Sequence, residues 1–323
     1  VIEKKDCQQF LLTFEKENYR KLNLILFSLF FLIFPPQNAY QTRQPLGEKP
    51  LVRQINFALP PTVTLPFKQS QEPPPYLTAK AALVIDLKSK TILYQKNPDL
   101  KLYPASTTKI MTALVAADFY QPNDILTVKT EWRLGQTVGL KMEERLTFES
   151  LLYGLLVGSG NDVAYVLAEN YVGGIKNFIE AMNIKAKNLN LNDTHFSNVV
   201  GIDTAEHQTT VHDLALLTAE ALKNPLIAKV VATSKIRITD LDGKNSHFLE
   251  NTNKLLGQVT GLKGVKTGWT ENAGECLVAY VQREKGQIIS VILGSNDRFG
   301  ETRNLIEWVY ENFQWQTLDT IHQ

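Results

Sequence analysis

In the stretch Pro104-Ala105-Ser106-Thr107-Thr108-Lys109 a hydroxyl and an amine stand three residues apart, ahead of the run Ile110-Met111-Thr112-Ala113-Leu114-Val115-Ala116-Ala117. Apolar side chains at 110, 113, 114 and 117 recur at helical spacing, and Pro104 suits a first turn because its missing N–H would have no partner there. Residues three apart share a helix face, so local geometry brings Ser106 and Lys109 together. A serine hydroxyl is a poor nucleophile at neutral pH without a base beside it. A lysine amine is a base only when neutral, so its ordinary pKa of ~10.4 must fall by several units through burial and a nearby positive charge. By itself the pair is a nucleophile beside a possible base, and a capped core helix is the other reading of so short a pattern.

Two more short patterns add the groups such a reaction needs. Ser159-Gly160-Asn161 follows a helical pattern, and its flanking glycines read as a tight turn that leaves a hydroxyl and an amide facing a cleft. Lys266-Thr267-Gly268 ends a strand pattern. Lys266 can supply the positive charge that tunes Lys109 and can attract a substrate carboxylate. Ser159 can relay a proton between either lysine and a leaving amine, and Asn161 can bond a substrate amide while holding Lys109. Thr267 offers a hydroxyl to the carboxylate, and Gly268 leaves room for substrate backbone laid along the strand edge.

The order Ser-x-x-Lys, Ser-x-Asn, Lys-Thr-Gly resembles that of penicillin-binding proteins and class A β-lactamases. Longer stretches narrow the likeness: Leu151-Leu-Tyr-Gly-Leu-Leu-Val-Gly-Ser-Gly-Asn-Asp162, Thr194-His-Phe-Ser-Asn198, Gly201-Ile-Asp203 and Gly264-Val-Lys-Thr-Gly-Trp-Thr-Glu-Asn-Ala-Gly274. Together with the Ser106 stretch they resemble the D-alanyl-D-alanine carboxypeptidase family, the low-molecular-mass penicillin-binding proteins, over roughly residues 78–313. The resemblance implies an acyl-enzyme on Ser106 and loss of the terminal D-alanine from a peptidoglycan stem peptide. It further implies acylation by β-lactams and no metal or cofactor. Its oxyanion hole would be the backbone N–H groups of Ser106 and Trp269. Arg298 lines up with an arginine that helps hold the cleft in some relatives, a solvated surface cation being the other reading. Val199-Val200 and Met142-Glu143 depart from the usual pattern and predict small loop changes. Rival readings are a D,D-endopeptidase, a class A-like β-lactamase, whose middle motif is Ser-Asp-Asn where this chain has Gly160, and a β-lactam sensor or cell-wall binding module.

The elements that must position these groups form an α+β domain. Ala82–Leu87 and Thr91–Tyr94 read as a hairpin that leads into the Ser106 helix. Residues 118–260 are mostly helical in pattern, with helices over Thr147–Val157, Asp162–Tyr171, Ile175–Leu189 and Thr210–Leu222, the last capped by Thr209 or Thr210. Strands follow over Leu262–Thr267, Glu275–Arg283 and Gln287–Gly294, then a helix over Arg303–Phe313 with Leu305, Ile306, Val309 and Tyr310 inward. Strands at both ends of a helical middle predict one antiparallel sheet built from distant segments, with helices packed on it.

Upstream of this domain, the chain opens on Val1, which suggests an alternative start codon or a fragment, and residues 1–21 are a polar tail. The uncharged run Leu22 to Phe34, closed by Pro35-Pro36, follows Arg20 and Lys21. Thirteen residues is short for a spanning helix, so 22–36 is expected to be a secretory signal or, uncleaved, a membrane anchor that places the rest outside the cytoplasm. The Pro-rich residues 37–76 are expected to be an extended tether, 77–315 the catalytic domain and 316–323 a tail. With 323 residues, 44% apolar and a net charge of +1, the chain can bury a core and carries no basic block that would suggest nucleic acid. Cys7 and Cys276 flank the apolar run, so no disulfide is expected. The histidines lack metal-site spacing, and His207 and His212 read as ordinary loop and helix-start residues.

Overall fold

The computed structural model describes residues 64–316. The polar tail, the apolar segment 22–36, Cys7 and most of the proline-rich stretch lie outside the described residues, as do 317–323. In chain order the strands are β1 (Leu65–Lys68), β2 (Ala81–Asp86), β3 (Ile92–Lys96), β4 (Ile125–Thr127), β5 (Arg145–Thr147), β6 (Lys235–Thr239), β7 (Ser246–Glu250), β8 (Leu262–Thr270), β9 (Gly274–Arg283), β10 (Gly286–Ser295) and β11 (Phe313–Gln316). The helices are α1 (Lys109–Phe119), α2 (Phe148–Leu156), α3 (Asn161–Asn170), α4 (Gly174–Asn188), α5 (Val211–Ala221), α6 (Pro225–Val231) and α7 (Arg298–Asn312), and a 3-10 turn, Ala105–Thr108, leads into α1.

Five strands form one antiparallel sheet in the order β3-β2-β10-β9-β8, so the two ends of the domain meet at the β2–β10 pair. Side chains alternate across a strand, and here both faces are covered. Leu83 and Ile85 point into the larger core with α1, α2, α3 and α5, whereas Ala82 and Val84 face Leu305, Ile306 and Val309 of α7. This is the expected α+β architecture. The helical middle forms a block against one sheet face, capped where the sequence predicts it: Thr210 Oγ1 accepts from Asp213 N at 3.0 Å.

Three expectations are corrected. Leu65–Lys68, read as tether, forms an edge strand paired with Phe313–Gln316, so the folded unit begins before residue 77 and takes in Gln316. The partner lies far off in sequence, and Pro66 is tolerated because an edge strand has a free side. Within 118–260, read as mostly helical, the chain also forms the hairpins β4–β5 and β6–β7. Ser106 sits on the 3-10 turn instead of an α-helix, where residues three apart eclipse, so its side chain still meets that of Lys109. Among the described residues no helix is long and apolar enough to cross a membrane.

Candidate active site

The 3-10 turn, the α2–α3 connection and the edge strand β8 meet at a cleft of about 550 Å³ lined by Ser106, Ser159, Asn161, Thr267, Gly268, Trp269 and Arg298. Lys109 and Lys266, at 0% and 1% exposure, are buried behind these residues, Lys109 within hydrogen-bond distance of Ser106 and Asn161 and Lys266 next to Thr267. The nine residues singled out from the sequence therefore gather at one place, although their segments are far apart in the chain.

Lys109 Nζ lies 2.9 Å from Ser106 Oγ, 2.7 Å from Asn161 Oδ1 and 3.0 Å from the Val200 carbonyl. A neutral amine has two N–H donors and one lone pair. With the amine neutral, the two carbonyl oxygens would take those donors and the lone pair would be left for the serine hydroxyl. Burial pushes the Lys109 amine well below its ordinary range, and the charge of Lys266 pushes it further, while Asp162 opposes both. Lys266 is itself pushed down to about 7, first by burial and then by Arg298. Burial outweighs the Lys266 charge that the sequence analysis put forward as tuner, and near neutral pH that charge is itself titrating. Lys266 Nζ donates to the Thr267 carbonyl at 3.0 Å.

Glycines bring the pieces together. The left-handed residue of the α2–α3 turn is Ser159, at φ +58°, and not a glycine. Gly158 and Gly160 are needed because a Cβ at either would meet Val138 Cγ1, at 2.7 and 3.0 Å. Gly268 makes room for the 3-10 turn, since a Cβ there would sit 3.1 Å from Ser106 N. Gly201, at φ +93°, lies so close to the turn that a Cβ would stand 1.8 Å from the Ala105 carbonyl oxygen.

Several positioning groups escape the sequence analysis. Asp162 is buried and accepts from the N–H groups of Val138, Gly139 and Leu140, folding that loop over the Ser159 turn. The loop returns the contact: Asn161 Nδ2 donates to the Leu134 carbonyl at 2.8 Å, which fixes the amide so that its oxygen faces Lys109. Thr252 Oγ1 shares a hydrogen bond of 2.6 Å with Thr267 Oγ1. His207, read as an ordinary loop residue, is fully buried. Its Nδ1 accepts from Ser197 N at 3.1 Å, so Nε2 carries the proton and donates to Thr108 Oγ1 at 2.8 Å, bracing the turn between Ser106 and Lys109. Arg298 donates from Nη1 to the Gly268 carbonyl at 2.8 Å, so it belongs to the cleft and is not a solvated surface cation. Among the described residues Ser159 Oγ has no hydrogen bond to either lysine, and Cys276 is a buried free thiol.

The family model described as D-alanyl-D-alanine carboxypeptidase matches residues 68–297. The chain is 31% identical over 250 residues to D-alanyl-D-alanine carboxypeptidase DacF of Bacillus subtilis (strain 168), which covers 74% of this chain and 64% of that protein. It is 30% identical over 246 residues to the D-alanyl-D-alanine endopeptidase of Escherichia coli (strain K12), covering 73% and 78%. The crystal structure of the Streptomyces K15 DD-transpeptidase matches with a TM-score of 0.71 and 29% identity, over 74% of this chain and 100% of that one. The chain thus spans less than two thirds of the Bacillus carboxypeptidase's length.

Proposed function

The chain belongs to the D-alanyl-D-alanine carboxypeptidase family, and from that premise we propose that it is a serine-type D-Ala-D-Ala carboxypeptidase that removes the terminal D-alanine of peptidoglycan stem peptides. The observation that carries the reading is the buried Lys109 amine 2.9 Å from Ser106 Oγ, with the Asn161 and Val200 carbonyl oxygens also within hydrogen-bond distance.

In this reading the neutral Lys109 amine takes the Ser106 proton as Oγ attacks the carbonyl of the penultimate D-alanine. The oxyanion forms against the N–H groups of Ser106 and Trp269, an arrangement worth a few kcal/mol of transition-state stabilisation. Protonated Lys266, Thr267 and Arg298 face the terminal carboxylate, and Asn161 uses its second Nδ2 hydrogen for the substrate amide. Ser159 passes a proton to the leaving amine, and water then releases the acyl-enzyme. β-Lactams enter the same cleft and acylate Ser106. The apolar run Leu22–Phe34 after Arg20 and Lys21 supports export, with the catalytic domain outside the cytoplasmic membrane and attached to it if that segment is kept.

The endopeptidase reading uses the same residues and is favoured by the Escherichia coli relative, which is named for that activity. The β-lactamase reading has the turn against it: a Cβ at Gly160 would stand 2.7 Å from Asp162 Oδ1 and 2.8 Å from Val163, so an aspartate does not fit there. Incubation with a pentapeptide ending in D-Ala-D-Ala, followed by mass spectrometry, tests the proposal. Loss of one alanine, abolished in Ser106→Ala, is expected. Cleavage confined to a cross-linked dimer supports the endopeptidase, and rapid catalytic opening of penicillin the β-lactamase. A lasting penicillin adduct without peptide turnover supports a sensor or binding module.

A further inference from the structure

Strand β7 sets a histidine where an apolar side chain belongs. Alternate residues of Ser246–Glu250 turn inward, and these are His247 and Leu249. Leu249 packs on the Ser159 turn, since a Cβ at Gly158 would stand 3.1 Å from its Cδ2. His247, buried on the same face, must find partners for both ring nitrogens. Nδ1 lies 3.2 Å from the Val138 carbonyl oxygen, and Nε2 lies 2.9 Å from Glu144 Oε2. A carbonyl oxygen only accepts, so Nδ1 carries a proton. Nε2 and the carboxyl group share a second proton, because a bare lone pair facing a carboxylate is repelled. Glu144 is buried as well, and among the described residues its Oε1 has no hydrogen-bond partner. A buried carboxyl group held on one oxygen is a poor means of stabilising a fold, so the pair points to a use elsewhere.

That use lies in what the other ring nitrogen holds. Val138 is where the loop beside the cleft is gripped: its N–H donates to Asp162, and its Cγ1 lies against Gly158 and Gly160. His247 takes its carbonyl from outside the loop. Just upstream, the Gln136 carbonyl accepts from Asn161 N at 2.7 Å and the Leu134 carbonyl from Asn161 Nδ2 at 2.8 Å. Asn161 Oδ1 in turn lies 2.7 Å from Lys109 Nζ. From this run of contacts we infer that His247, backed by Glu144, is a positioning residue for the reaction: by holding the Val138 carbonyl it fixes residues 134–138 and with them the aim of the Asn161 amide. The inference rests on the carboxypeptidase reading and adds to it a group that touches neither substrate nor nucleophile. The titratable groups around the ring are Glu144, just ahead of β5, and Asp162 of α3 across the Val138 peptide, while its neighbour on β6 is the apolar Ile238.

Two substitutions separate the ring's two bonds, because a glutamine amide nitrogen falls near the place of Nε2 and an asparagine one near that of Nδ1. His247→Gln keeps the bond to Glu144 and releases the Val138 carbonyl. His247→Asn combined with Glu144→Met keeps the carbonyl and removes the buried carboxyl group. Each loses one hydrogen bond of the ring, so a role in stability alone moves them together. Acylation of Ser106 by a fluorescent penicillin is followed at rising concentration, beside alanine release from the D-Ala-D-Ala pentapeptide and the melting temperature. His247→Gln is expected to slow the first-order acylation step about tenfold with the half-saturating concentration within about twofold of wild type, and to lower kcat/KM for the peptide by a like factor. The double variant is expected to react within about twofold of wild type. Equal rates in the two variants, or losses that follow the melting temperature, overturn the clamp and leave the carboxypeptidase reading intact. Should the variants fail to fold, nitrogen-15 spectra of histidine-labelled wild type decide: a proton on Nδ1 of the ring that contacts Val138 is expected, and an unprotonated Nδ1 overturns the clamp. Wild type that neither is acylated nor releases alanine overturns the reading, and the clamp with it.

Discussion

Replacing Lys266 by methionine should make the protein more stable and nearly inactive. The amine is 1% exposed and titrates at about 7 in the folded chain, against 10.5 for an ordinary lysine. Because the folded state holds the proton less tightly, protonated Lys266 counts against folding at every pH below 7, by roughly 5 kcal/mol at ~1.36 kcal/mol per pH unit. That penalty fades between pH 7 and 10.5, where the unfolded chain also sheds its proton. Methionine keeps the methylene stem in its packing and gives up a single hydrogen bond, to the Thr267 carbonyl, worth about 1 kcal/mol. Some of the remainder is lost to imperfect packing, so the net gain at pH 6.5 should be about 2–4 kcal/mol, or roughly 5–12 °C in Tm. Urea unfolding followed by circular dichroism at pH 6.5 and pH 10 checks it. The gain should be present at the first and nearly gone at the second, with the proposed carboxypeptidase turnover down more than ~100-fold if Lys266 is the ammonium that meets the substrate carboxylate. A variant that is less stable than wild type at pH 6.5, or equally stabilised at both, refutes the reasoning.

The pH dependence of the reaction should be bell-shaped, with kcat/KM rising as Lys109 loses its proton and falling near pH 7 as Lys266 in the free enzyme loses its own; the two amines titrate as a pair. A bound carboxylate favours the ammonium, so the falling limb of kcat should lie at higher pH, and coincident falling limbs above pH 9 would contradict this. Gly201→Ala should cost 3 kcal/mol or more and abolish acylation, since its Cβ would lie on the Ala105 carbonyl, whereas Gly243→Ala, at φ +69° with open space around it, should cost only about 1–2 kcal/mol; calorimetry of the two variants separates crowding from backbone strain. His207 is held down to about 4, chiefly by burial, against 6.5 when free, so its part in stability is intact above pH 6.5 and is lost, up to roughly 3 kcal/mol, as pH falls to 4. His207→Gln should flatten that stretch of the stability curve and lower the rate of Ser106 acylation; an unchanged acid slope would show that another group carries it.

What the sequence discloses here depends on how local the cause is. Ser106 and Lys109 meet through a three-residue spacing that survives the change from α-helix to 3-10 turn. Leu305, Ile306, Val309 and Tyr310 are inward as their period demands. Pairings set by distant partners stay hidden, as for Leu65–Lys68, whose strand forms only because Phe313–Gln316 is beside it. The β6–β7 hairpin was within reach: Lys235-Ile-Arg-Ile-Thr239 alternates, and Asp242-Gly243 is a turn signal between strands. Around the cleft, residue types pointed to the groups proposed as nucleophile, base and carboxylate binders, and these do gather at one place. The groups that aim them, Asp162, His207 and the Val200 carbonyl, act through contacts that composition and spacing do not encode. The strain at Ser159 is likewise invisible in a serine between two glycines, where a left-handed glycine is the simpler expectation.

The account stands on one proton. With lysine side chains 13C-labelled at Cε and the Lys109 signal identified by its loss in Lys109→Met, a pH titration by nuclear magnetic resonance reads that amine directly. The account predicts that the Lys109 signal reports a neutral amine well before the surface lysines begin to titrate, and that it moves back toward them in Lys266→Met. A Lys109 amine that stays protonated until the surface lysines lose their protons, near pH 10, would contradict it.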